Sequence, residues 1–65
     1  MAIRISLRAA RVNAELTVME AAKKMDIGKD RLLKWEANPE LVNGIYQKRF
    51  AEVYGLPVDA IFFGV

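Results

Sequence analysis

Four neighbouring residues carry the groups best suited to chemistry: Lys29, Asp30, Leu33 and Lys34. The two ammonium groups can donate to guanine O6 and N7, the carboxylate can accept from cytosine N4, and the leucine can touch a thymine methyl. The same residues would also make an ordinary solvated helix face, with Asp30 and Lys34 as an i,i+4 ion pair. Leu33 fits that second description less well, although a single exposed leucine is common. Catalysis has no comparable set. The chain lacks His and Cys, its carboxylates are not clustered, there is no glycine-rich phosphate loop, and Ser6 has no base to activate it. The expectation is a protein that is not an enzyme, with no cofactor, no metal and no disulfide.

These residues must be held by the stretch LTVMEAAKKMDIGKDRLLKWE, residues 16–36, which reads as two short helices and a tight turn. Thr17 and Glu20 have capping-box spacing, in which each side chain satisfies a backbone N–H at a helix start. Ala21, Ala22 and Met25 recur at helical spacing and form a buried stripe. Asp26, Ile27 and Gly28 interrupt it. A second helix begins near Lys29, with Leu32 and Trp35 on its apolar side. Two alanines at the crossing allow close approach, which is the pattern of a helix-turn-helix. With Leu32 and Trp35 inward, a 100° step per residue turns Asp30, Leu33, Lys34 and Ala37 outward, with Lys29 at the start and Arg31 towards one edge. Core packing, not base stacking, is the expected role of Trp35.

Ser6 is a good N-cap for a helix over roughly residues 7–14. Leu7, Ala10, Arg11 and Ala14 share its inner face, and an arginine there needs a partner, for which Glu36 is the candidate. Asn38-Pro39 stops the next helix but one. Asn43-Gly44 forms a turn, or Asn43 caps a helix carrying Tyr46, Phe50, Val53 and Tyr54. Gly55 closes that helix in the left-handed conformation. Pro57 then opens a last short helix with Ile61, Phe62 and Phe63. Phe62 and Phe63 cannot both face a small core, because helical neighbours point about 100° apart. One of them is expected at a two-fold interface, the alternative being that a frayed C-terminus folds it back. The fold class is all-α, a compact bundle of about five short helices in one domain spanning 1–65.

The chain resembles the Cro/cI-type (XRE-type, lambda-repressor-like) DNA-binding domains. Leu16, Thr17, Glu20, Ala22, Met25, Lys34, Trp35 and Glu36 stand at the family's places without insertion or deletion. LRAAR before them looks like its first helix, and FAEVYGLPVDAIF after them like its closing pair; residues 37–45 align poorly. The resemblance implies a recognition helix in the major groove, with Lys29, Asp30, Leu33 and Lys34 at base edges and Thr17, Val18, Arg11 and Arg31 near phosphates. It also implies that Arg11 pairs with Glu36. Three positions depart from the pattern: Val18 replaces a phosphate-clamping glutamine, Asp26 the glycine of the turn, and Gly28 the Ser or Thr capping the recognition helix.

Net charge is only +2. Its distribution says more: residues 1–34 hold eight Lys/Arg and four acids, and residues 35–65 hold two and four. A positive face from the first three helices suits phosphate contact, and ordinary solvated surface would look the same. No apolar run approaches the ~18–20 residues of a membrane span. The expectation is a cytoplasmic, Cro-like repressor of phage or bacterial type, binding a pseudo-palindromic duplex as a homodimer, with no small-molecule ligand. The alternative is an interaction module, of antitoxin or antirepressor type, acting on a protein through a surface around Val18, Met19 and Leu33.

Overall fold

The computed structural model describes residues 4–64. Four helices, α1 (Leu7–Asn13), α2 (Val18–Met25), α3 (Lys29–Ala37) and α4 (Gly44–Tyr54), are joined with single 3-10 turns at Pro39–Leu41 and Val58–Ala60. The domain is an all-α bundle. Among the described residues the β pairing is a single parallel bridge between Ile5 and Ile61.

Three helices begin on side-chain caps. Ser6 Oγ accepts from the Ala9 amide at 3.0 Å, and Asn43 Oδ1 from the Tyr46 amide at 3.1 Å. At α2 the capping box is complete. Thr17 Oγ1 accepts from the Glu20 amide at 3.1 Å, and Glu20 Oε1 accepts from the Thr17 amide at 2.9 Å. The Thr17 backbone N–H and then its hydroxyl hold the exposed Glu20 carboxyl below its ordinary pKa. Each such cap is worth about 1 kcal/mol. Gly28 precedes α3 with extended geometry and offers no side-chain bond.

Three helices also end alike. Glu15 (φ 60°), Asp26 (φ 57°) and Gly55 (φ 68°) turn left-handed just past α1, α2 and α4. The following amides reach back to close the turn: Leu16 to the Arg11 carbonyl at 3.2 Å, Ile27 to Ala22 at 3.0 Å and Leu56 to Ala51 at 3.0 Å. This is the Schellman arrangement, and Leu16, Ile27 and Leu56 each press onto the core, as the motif's apolar contact requires. One motif used three times folds the chain back on itself, and only one of the three positions is glycine.

The core gathers Leu7 and Ala10 of α1, Ala21, Ala22 and Met25 of α2, Leu32 and Trp35 of α3, and Phe50, Ala51 and Tyr54 of α4. Trp35 meets Tyr46 at 5.0 Å and Phe50 at 5.8 Å between ring centres, the latter edge-on, which locks α3 to α4. Burying side chains such as Leu7, Leu32 and Phe50 contributes roughly 1.5–3 kcal/mol each.

The C-terminal segment differs from the sequence expectation. Pro57 is followed by one 3-10 turn, and Ile61 is already extended (φ −108°, ψ 131°). The Ile5 amide donates to the Ala60 carbonyl at 2.9 Å, and the Phe62 amide to the Ile5 carbonyl at 2.8 Å. Ile, Phe and Phe in succession favour extended backbone, and Ile5 supplies the hydrogen bonds that a further helical turn would otherwise have provided. Ile61 and Phe63 point inward and Phe62 outward, which follows from strand alternation.

Candidate nucleic-acid interface

α3 has a buried side and a solvent side. Leu32 and Trp35 are buried, while Lys29, Asp30, Arg31, Leu33, Lys34 and Ala37 are exposed. Lys29, Asp30, Leu33 and Lys34 are thus together on the solvent side of α3. Leu33 is 43% exposed. Among the described residues no ion pair joins Asp30 to Lys34, so their charged groups are not spent on each other. Lys34 stands in the last turn of α3, where its carbonyl accepts from both the backbone and side-chain nitrogens of Asn38, at 2.8 and 3.2 Å.

What fixes α3 against α1 is a cross-link behind this face. Arg11 Nε donates to Glu36 Oε2 at 2.7 Å, and Arg11 Nη1 donates to the Leu16 carbonyl at 2.9 Å. The two side chains are only 11% and 7% exposed, so Arg11 is engaged inward. Tyr54 lies within their field. Its hydroxyl is buried and among the described residues has no hydrogen-bond partner. Burial pushes its pKa up to about 12, the negative charge of Glu36 adds to the rise, and Arg11 opposes it.

At the start of α2, Thr17 is exposed and Val18 is half-buried, packed against the core. Met19 is the outward apolar residue, 66% exposed. Arg31 lies over the Trp35 ring at 5.7 Å, and Arg49 over the Tyr46 ring at the same distance. Trp35 and Tyr46 are themselves in contact, so the four side chains form a ladder across α3 and α4. It borders a shallow groove whose walls include Arg31, Lys34, Leu41 and Tyr46. Arg49 was not among the sequence-predicted site residues. The available signal was spacing: Arg31 precedes Trp35 by four residues and Arg49 follows Tyr46 by three, both neighbours on a helix surface.

Of the two candidate interface phenylalanines, Phe63 is 6% exposed and belongs to the core of its own chain, which leaves Phe62, 42% exposed. Among the described residues no cluster of His, Cys, Asp or Glu could hold a metal, and no helix is long and apolar enough to cross a membrane. In comparisons with known proteins, no family model, no curated protein and no solved structure matches the chain.

Proposed function

We propose that the chain is a sequence-specific DNA-binding regulator of the cytoplasm, reading the major groove of a duplex with α3. The observation that carries this reading is the outer face of α3. Lys29, Asp30, Leu33 and Lys34 offer donors, an acceptor and an apolar contact to solvent on one helix that is anchored from behind. Thr17, the Val18 amide and Arg31 would meet the phosphates beside that groove. Arg11 would act through its hold on Glu36. A homodimer, with Phe62 at its two-fold interface, would bind a pseudo-palindrome with half-sites about one helical turn apart. The resemblance to Cro/cI-type domains favours a small repressor of phage or bacterial type.

Selection from a random duplex library at near-physiological salt tests this. A two-fold-symmetric enriched site supports the dimeric regulator, and absence of any enriched site removes the reading. A second reading rests on Met19 and Leu33. Two exposed apolar side chains on neighbouring helices, with a net charge of only +2, also suit an antitoxin- or antirepressor-like module that binds a protein. Failure of the selection would direct the search to that surface.

A further inference from the structure

Residues 61–64 are packed and hydrogen-bonded against the rest of the domain. Ile61 and Phe63 are buried, at 3% and 6% exposure, and the Phe62 amide is bonded to the Ile5 carbonyl at 2.8 Å. Gly64 is left-handed (φ +87°) and lies against the 3-10 turn Pro39–Leu41. A Cβ there would fall 2.9 Å from Glu40 Cβ and 3.0 Å from the Glu40 backbone nitrogen. That 3-10 turn is bonded in sequence to the end of α3. The Leu41 amide donates to the Asn38 carbonyl at 3.0 Å and the Val42 amide to Pro39 at 3.1 Å, while Asn38 binds the Lys34 carbonyl twice.

We propose that residues 61–64 are a strap that holds the last turn of α3 in place through Glu40. The route is physical at every step: the strap on Glu40, Glu40 in the 3-10 turn, Asn38 at the turn's head, and Lys34 on the recognition face. A strap with one buried aromatic on the inside and Phe62 on the outside has two faces with different jobs. An event at Phe62, such as pairing with a second copy, thereby bears on the position of Lys34. That consequence for DNA rests on the regulator reading; the mechanical link does not.

The link is read without DNA, by amide hydrogen exchange on the full chain carrying Gly64→Ala. The substitution places a Cβ against Glu40 and forces a left-handed φ on a residue that resists it. The expected result is exchange faster by roughly tenfold or more at Phe62 and also at Asn38, Leu41 and Val42, with Ala21 inside α2 unchanged. Phe63→Leu, a milder change, should accelerate the same set to a smaller degree. Acceleration at Phe62 alone would overturn the proposal, and so would no acceleration at all. Equal acceleration at Ala21 would also overturn it, since the strap would then belong to global unfolding. A duplex titration of the same variant separates the two readings: unchanged DNA affinity beside the expected exchange pattern leaves the strap intact and counts against Lys34 as a DNA contact.

Discussion

Arg11 Nε and Glu36 Oε2 stand 2.7 Å apart, although 25 residues separate them in sequence. The pair joins α1 to the last turn of α3, and the Leu16 carbonyl takes a second guanidinium donor. Such a pair adds little over a well-packed apolar one, but removing one member leaves a charge stranded out of water.

Arg11→Ala should therefore lower stability by about 3 kcal/mol, at the low end of the cost for breaking a buried pair. A domain of this size has roughly 3–5 kcal/mol from its core, so most of the folded population would be lost at elevated temperature. Thermal melting checks this, and an unchanged Tm would contradict it.

Tyr54 gives a pH prediction. Its pKa is raised by burial from 10.0 to about 12 in the folded chain, so ionisation costs the fold nothing below pH 10 and destabilises it progressively as pH rises towards 12. Tyr54→Phe should match or exceed the natural chain by up to about 1 kcal/mol at neutral pH, because a buried hydroxyl without a partner is removed. Denaturation across alkaline pH should then show the natural chain losing stability relative to the Phe variant as pH rises from about 10 towards 12. Parallel profiles would refute the placement of the hydroxyl.

The left-handed helix ends predict opposite effects at two sites. Asp26→Gly should stabilise by roughly 1 kcal/mol, since a non-glycine residue there bears the left-handed penalty. Gly55→Ala should destabilise by a similar amount; an added Cβ would meet nothing within 4 Å, so the cost is backbone conformation alone. Urea midpoints measure both, and equal midpoints would argue against these φ values.

Much of this geometry was legible because it is written in local signals. Ser6, Thr17 with Glu20, Asn43 and Gly55 each mark a helix end by chemistry that works within four residues. The stripes of Ala21, Ala22 and Met25 and of Leu32 and Trp35 follow helical period. The C-terminal segment departs from its local pattern for a complementary reason. Ile61 is extended, and the Ala60 carbonyl and Phe62 amide on either side of it bond to Ile5, a partner so distant in sequence that no local pattern reports it. The first helix ends about where its spacing predicts, but the left-handed turn at Glu15 carries no signal, because glutamate is not a customary left-handed residue. At the site, exposure of the α3 face followed from period, whereas the Arg49–Tyr46 contact depends on how α4 crosses α3.

On the regulator reading, Lys34→Ala should cost roughly 1–3 kcal/mol of binding and relax preference at one base position. A uniform loss on all sequences would make Lys34 a phosphate contact. No loss would remove it from the interface.

The most direct test of the central claim is the ratio of affinities for a selected symmetric duplex and for random DNA at near-physiological salt. A DNA-binding regulator should favour its site by about 10³ or more. Equal, weak binding to both would contradict the account.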